Sequence, residues 1–318
     1  MRSRLGSPVL LARRALMIVA AAGCAACGSA LPAASPSSPA PASAAASPGT
    51  STGPAASTGP SASPSPVAAA PAHTVVVVME NHSYGQVIGN PQAPYINQLA
   101  GAGALLTGSR AITHPSQPNY LALFSGSTQG ITDDSCPHRF SSGNLAAELI
   151  SAGRTFAGYS EDLPAAGSGV CTSGGYARKH VPWINFTNVP AAASLPFSGF
   201  PGGQYARLPT VSFVIPNLCH DMHDCSIAIG DSWLRAHLAG YAAWARQHHS
   251  LLIVTWDEND DRPGNQIATI FAGQMVRHGR FGQPVTHYNV LATLESVYRL
   301  PLLGHARTAA PISGIWIP

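Results

Sequence analysis

Apolar runs that stop abruptly on polar residues recur along this chain. TVVVVM at 74–79 shows no alternation, and its β-branched residues suit a strand covered on both faces, as in a parallel α/β sheet. TVSFVIPN at 210–217 and LLIVTW at 251–256 have the same character, and IATIFAG at 267–273 adds another strand. ALLTGSRAI at 104–112 and RTFAGYS at 154–160 also read as strands. Between these runs the period turns helical. YINQLAGAG at 95–103 is a short helix closed by Gly101 and Gly103. GNLAAELISAG at 143–153 puts Leu145, Leu149 and Ile150 on one face, with Gly153 as its stop. GDSWLRAHLAGYAAWARQHH at 230–249 carries an apolar stripe of Leu234, Leu238, Tyr241 and Ala245, with Asp231 or Ser232 as cap and Trp233 and Trp244 as core residues. Thr286 is the candidate cap of a last helix at 289–300. Residues 161–209, rich in glycine, proline and aromatics, read as a long excursion across the mouth of a site.

In open α/β sheets the ligand crevice lies at the carboxyl ends of the strands. Here the strand at 74–79 stops on Glu80, Asn81, His82 and Ser83, and the strand at 251–256 stops on Asp257, Glu258, Asn259 and Asp260. The strand at 210–217 leads through Asn217 into His220, Asp221, His223 and Asp224. The strand at 104–112 delivers THPSQPNY, in which two prolines stiffen the chain and Ser116 stands just before a helix N-terminus. One acidic strand end is ordinary, whereas several converging on one sheet edge predict a hydrolytic metal site.

The ends of the chain change the charge balance. Arg2, Arg4, Arg13 and Arg14 precede an apolar run from Ala15 to Ala22 and then Gly23 and Cys24, which reads as an export signal over 1–27. AAGC has the form of a lipoprotein cleavage box with Cys24 as the acylated residue and Cys27 as its rival, so an N-terminal lipid anchor to the membrane is one expectation. The apolar run is too short for a full membrane span. Residues 28–72 are almost wholly Ala, Pro, Ser, Gly and Thr, the composition of a disordered tether, which leaves 73–318 as the folded domain. The whole chain has 17 Lys and Arg against 14 Asp and Glu, but removing the four signal arginines leaves 13 against 14, or −1. Its basicity belongs to the signal, so nothing argues for a nucleic-acid partner. Cys136, Cys171, Cys219 and Cys225 remain in the folded part. An even number in an exported chain favours disulfides over zinc, and of the three connectivities the pairing of sequence neighbours is preferred.

Glu80, Asp257 and Glu258 are hard oxygen donors and Asn81 a neutral one, a set that suits Mg, Ca or Mn, with histidine moving the preference to Zn or Fe. A divalent cation favours the alkoxide of a serine and stabilises charge on a phosphoryl oxygen. Ser116 is the candidate nucleophile and Asn119 a donor to phosphate. His180, His220, His223 and His287 are candidates for protonating a leaving group or binding phosphate, although His180 taken alone reads as structural. A Ser-His-Asp hydrolase is disfavoured because no G-x-S-x-G elbow surrounds Ser116.

MENHS, HPSQPNY, YARKHVPW, IPN with DMHD, and TWDEN, in this order, resemble the bacterial phosphoesterase family of acid phosphatases and phospholipases C, within the alkaline-phosphatase-like superfamily. EDLP, YARKHVPWINF, LPTVSFVIPN, SLLIVTWDE and HYNVLATLE are similar above all to the mycobacterial secreted acid phosphatases of that family, and the resemblance covers essentially all of 73–318. It implies an α/β three-layer sandwich around a central, mostly parallel sheet. It also implies an exported, metal-dependent phosphomonoesterase that works through a phosphoserine on a phosphomonoester or phospholipid, with phosphatidylinositol 3-phosphate among the substrates. Carried over by motif, Glu80 and Asn81 resemble the first metal ligands, Ser116 the nucleophile that also touches metal, and Asn119 the phosphate-binding amide. Asp257 and Glu258 resemble the later metal pair, and His180 and His223 active-site groups. More distant two-metal relatives use an Asp-x-x-x-His pair and a late histidine, where this chain offers Asn217, Asp221 and His287. An amide in place of a carboxylate there weakens a second cation. A phospholipase C that cleaves lipid phosphodiesters, and a surface lipoprotein that only binds, are the competing readings.

Overall fold

A computed structural model describes residues 69–317. The segment read as an export signal, the two candidate lipidation cysteines and residues 28–68 of the segment read as a tether lie outside the described residues. Ala70 already packs against the core, and the Ala72 N–H donates to the His249 carbonyl. Among the described residues no helix is long and apolar enough to cross a membrane.

The sheet strands are β1 (Thr74–Met79), β2 (Ala104–Ser109), β3 (Phe156–Ser160), β4 (Ser194–Pro196), β5 (Val211–Ile215), β6 (Leu251–Trp256), β7 (Thr269–Gly273) and β8 (Gly279–Val285). The main helices are α1 (Pro94–Ala102), α2 (Ser116–Ser125), α3 (Leu145–Ser151), α4 (Ile227–Ala245) and α5 (His287–Tyr298). The eight strands pair in the order β8-β2-β7-β6-β1-β5-β3-β4. All pairings are parallel except those of β7, which runs antiparallel to β2 and β6. The expected α/β sandwich with a mostly parallel central sheet is therefore what the chain forms.

β1 lies at the centre because every one of its side chains is buried. Val76 and Val78 pack with Leu121 and Phe124 of α2 and Leu291 and Leu294 of α5. Val75, Val77 and Met79 pack on the opposite face with Leu99 of α1 and Leu234 and Leu238 of α4. Period-two alternation in a strand with apolar cover on both faces leaves no polar position, which is why the run reads as four valines. β6, β1, β5 and β3 are neighbours and parallel, so their carboxyl ends meet along one edge.

Three local readings change. Asp231 and Ser232 lie inside α4, which Ser226 precedes as N-cap. The Asp231 carboxylate instead accepts the N–H groups of Tyr95 and Ile96 at 3.2 and 2.8 Å, capping the first turn of α1 from another element. Ser116 is the first residue of α2 rather than the residue before it. β8 went unread in the sequence because it is an edge strand with Gly282 and Pro284, whose side chains alternate in exposure. Thr286 does cap α5, in a box with Asn289.

The disulfides are Cys136–Cys171 and Cys219–Cys225, the sequence-neighbour pairing. Native protein should therefore titrate no free thiol among these four. Reduction, or Cys136→Ser with Cys171→Ser, should cost roughly 3 to 4 kcal/mol, the entropy of closing a loop of a few tens of residues, measured by denaturant unfolding.

Candidate active site at the strand ends

Glu80 follows β1 directly and Asp257 follows β6, and backbone bonds stitch these ends together. The Glu80 N–H donates to the Asp221 carbonyl and the Asp257 N–H to the Met79 carbonyl, both at 2.9 Å. Asn81 turns the chain at φ 56°, a left-handed conformation that asparagine tolerates, and its N–H donates to Asp257 Oδ1 at 3.1 Å. The helix start at Pro115 brings Ser116 over this edge, where its side chain is 2% exposed. Ser116 Oγ lies 3.0 Å from Glu80 Oε2 and 3.2 Å from Glu258 Oε1.

The other wall comes from the excursion between β3 and β5. The short turn Arg178–His180 inserts His180 between two carboxylates, with Nδ1 3.1 Å from Asp221 Oδ2 and Nε2 3.1 Å from Glu80 Oε1. The first contact is a hydrogen bond, whereas Nε2 is close to its oxygen without hydrogen-bonding alignment. The imidazole stacks on Tyr120, whose hydroxyl donates to Glu80 Oε1 at 2.6 Å. Glu80, His180 and His223 offer donor atoms all within 4.8 Å of one another. Lys179 Nζ lies 2.9 Å from Asp134 Oδ2 and 3.2 Å from His223 Nε2. Asp134 Oδ1 accepts the Gln117 N–H at 2.9 Å, which ties this ion pair to the first turn of α2. His114 Nδ1 lies 2.8 Å from Glu258 Oε2 at the rim.

Burial and mutual repulsion set the charge. Burial first, then the charges of Asp257 and Asp221, hold the Glu80 carboxyl well above its usual pKa. Burial raises Asp257 and Asp221 to about 7 each. Burial and the Asp257 charge push Glu258 to about 9. Burial also drives His180 well below its ordinary range, so the imidazole between the carboxylates is neutral at pH 7. Lys179 is kept protonated by Asp134 against the cost of its own burial. A serine hydroxyl has one proton, so Ser116 donates to Glu80 or Glu258 but never to both at once. Asp257 Oδ2 is buried with no partner at all. The pocket is thus rich in acceptors and short of positive charge.

The structure brings Glu80, Ser116, Asp257, Glu258, His180 and His223 to one edge, and Asn81 through its backbone. It directs others elsewhere. Asn119 Oδ1 accepts the N–H groups of Ile112 and Thr113, and Nδ2 donates to the Thr113 carbonyl, so the amide latches the loop before Ser116. Its remaining reach into the site is a 3.3 Å contact to Glu258 Oε2. His287 Nε2 bonds the Asp257 main-chain carbonyl at 2.6 Å, and burial lowers its pKa to about 4. Asn217 donates to Asp162 and accepts from the backbone of Cys219 and His220, and His220 pairs with Glu161. Of the second-site set Asn217, Asp221 and His287, Asp221 alone meets a side chain of the cluster, at His180, while His287 reaches the main chain of Asp257. Tyr120, His114, Lys179 and Asp134 went unnoticed in the sequence. Tyr120 and Lys179 adjoin flagged residues and His114 lies two before Ser116, which was the available signal; Asp134 carried none.

A sequence model described as the Phosphoesterase family matches residues 90–301. A phosphatidylinositol-3-phosphatase of Mycobacterium tuberculosis is 57% identical over 247 residues, covering 77% of this chain and 83% of that protein. A phosphate-repressible acid phosphatase of Penicillium chrysogenum is 31% identical over 227 residues, 66% of this chain and 55% of its own length, so the chain spans about half of that fungal relative. Among solved structures, an alkaline phosphatase superfamily protein from Vibrio parahaemolyticus superposes with a TM-score of 0.53 at 12% identity, covering 76% of this chain and 71% of that one. That likeness concerns the fold, while the sequence matches run through the segments that carry Ser116, His180, His223 and the Asp257–Glu258 pair. On these matches the chain belongs to the Phosphoesterase family.

Proposed function

We propose that this chain is an exported, metal-dependent phosphomonoesterase in which Ser116 Oγ is the nucleophile. The observation that carries the reading is the seat of Ser116: first residue of a helix, buried, and within 3.2 Å of carboxylates from two strand ends. The donor set fits a divalent cation, since Asp257 Oδ2 is orphaned and the buried carboxyls outnumber the positive charges around them. Glu80, Asp257 and Glu258 would hold it, with His180, His223 and Asp221 beside them and Asn81 fixing the turn. Oxygen donors favour Mg, Ca or Mn, and the two histidines extend the choice to Zn or Fe. When bound, such an ion supplies Lewis acidity that favours the serine alkoxide and offsets phosphoryl charge.

The protein's own groups then divide the work. The Ser116 hydroxyl passes its proton to a neighbouring carboxylate as Oγ forms the bond to phosphorus and the ester oxygen leaves; water then cleaves the Oγ–P bond, its oxygen going to phosphate and a proton returning to Oγ. The N-terminus of α2 faces the developing charge. Lys179, 20% exposed and locked by Asp134, is the cation at the mouth and favours a dianionic monoester over a monoanionic diester. His223, at 27% exposure and next to Lys179, is placed to protonate the leaving oxygen. Tyr120 and Asp221 orient Glu80 and His180, and His287 braces Asp257. The 57% identical relative makes phosphatidylinositol 3-phosphate the first lipid to try. Export follows from the signal over 1–27 and agrees with two disulfides. Residues from 28 to about 69 serve as the tether of a domain that begins near Ala70, three residues before the expected boundary at 73, and Cys24 is the candidate lipid anchor.

Hydrolysis of p-nitrophenyl phosphate beside p-nitrophenylphosphorylcholine, each with and without chelator, tests the reading. The monoester should turn over faster and lose its turnover on chelation. Preference for the diester makes the chain a phospholipase C, and no turnover of either leaves a binding domain.

A further inference from the structure

A second feature of the excursion between β3 and β5 lies outside the carboxylate cluster. A cavity of about 350 Å³ opens there, bordered by Arg139, Arg178, Trp183, Asn185 and Phe186. That volume is at the small end of the range for small-molecule sites. Arg178 is 7% exposed. Its Nε donates to Asn185 Oδ1 at 3.1 Å, Nη1 to the Gly169 carbonyl at 2.7 Å, and Nη2 to the carbonyls of His138 and Ile184 at 3.1 and 3.4 Å. All four acceptors are neutral, and a guanidinium carries five N–H groups, so one Nη1 hydrogen has no partner. Among the described residues the ion pairs of lysine and arginine are Lys179–Asp134 and Arg262–Asp260, so neither Arg178 nor Arg139 meets a carboxylate.

Buried charges are ordinarily paired. Burial pushes the Arg178 pKa below the usual guanidinium range, and the Arg139 charge adds to the effect. Asn185 contributes independently. Because Arg178 Nε–H only donates, it fixes the amide oxygen of Asn185 on its own side. The amide nitrogen is then left buried with no partner, in a residue 2% exposed. Buried Arg178, with one Nη1 hydrogen unpartnered, and the exposed Arg139 guanidinium thus border one cavity, and the unpartnered amide nitrogen of Asn185 is buried next to Arg178.

We propose that this cavity binds a small oxyanion with a compact apolar body, the head group against the guanidinium groups of Arg139 and Arg178 and the body against Ile184, Val189 and Pro190. Binding at this cavity does not depend on the phosphatase reading; only the turnover control in its test does. The site stands on the turn that also supplies Lys179 and His180, so its occupant braces a segment of the catalytic wall.

Benzoate and phenylphosphonate, titrated separately into the full chain with tryptophan fluorescence as readout, test it. A saturable change with benzoate assigns a carboxylate head, with phenylphosphonate a phosphoryl head, and either supports the site. Arg139→Gln should weaken the dissociation constant about tenfold or more, since a charge-assisted contact is lost, while turnover of p-nitrophenyl phosphate stays unchanged. Asn185→Asp keeps the acceptor for Arg178 and adds the missing negative charge, so it should raise Tm and abolish probe binding. Two results overturn the proposal: no saturable change with either probe, or an unaltered dissociation constant in Arg139→Gln. A lowered Tm in Asn185→Asp counts against it equally, because a site short of negative charge gains from one.

Discussion

Ser116→Ala is expected to lose turnover by a factor on the order of 10⁴ or more, the usual cost of removing a covalent nucleophile. The fold should survive. Alanine fits a space that serine fills, and it is a good helix former at the first position of α2. The hydroxyl removed has two carboxyl oxygens within 3.2 Å, so its loss leaves them short of a donor, a change of about 1 to 3 kcal/mol at most. Circular dichroism separates the two effects, and brief exposure of wild type to labelled substrate followed by acid quench should trap label on the peptide that contains Ser116. Turnover within about tenfold of wild type, or label on another residue, removes Ser116 from the mechanism.

If Glu80, Asp257 and Glu258 hold a cation as proposed, removing it should be nearly as severe, and the pH dependence has a definite sign. Asp257 and Asp221 are raised to about 7 and Glu258 to about 9, against ordinary carboxyl values near 4. A raised folded-state pKa contributes stability that is fully present below the unfolded value and is lost as pH rises through the folded value. Chelated protein should therefore lose stability progressively between about pH 4 and pH 9 as these groups are forced to ionise together. A cation binds the ionised set, so its affinity should climb over the same window. At pH 8 and roughly a hundredfold excess over Kd, binding contributes about 2.7 kcal/mol, a rise in Tm of roughly 5 to 10 °C for a chain of this size. At pH 5 the rise should be much smaller. Asp257→Asn removes one charge at nearly constant volume, so the chelated variant should be more stable than chelated wild type at pH 8, with a reduced response to Mn, Ca or Zn. A rise in Tm equal at both pH values, or undiminished in Asp257→Asn, contradicts the assignment of these carboxyls to a cation.

The positions where strands stop were legible in the sequence because both signals are local. Four valines and Met79 followed by Glu80, and LLIVTW followed by Asp257 and Glu258, state burial and its end in consecutive residues. Thr286 was legible as the cap of the last helix for the same reason, while the box it forms with Asn289 and the helix start at His287 are seen in the structure. The two disulfides followed from cysteine number, compartment and proximity along the chain.

Which polar groups share a site was decided by tertiary structure. Ser116 meets Glu80 across 36 residues and Glu258 across 142, a distance set by strand order and by no local period. Periodicity assigns a side chain to a face, but the partner of a polar atom depends on what the sheet order places opposite it. So His180, which read as structural when taken alone, sits between Glu80 and Asp221. His287 and Asn217, which read as ligands, are consumed by a carbonyl of Asp257 and a carboxylate of Asp162. Asp231 shows the same rule away from the site, with the chemistry of a cap but a different helix to apply it to. The sequence determines which atoms want partners and roughly how deep they lie; packing order determines which partners they get.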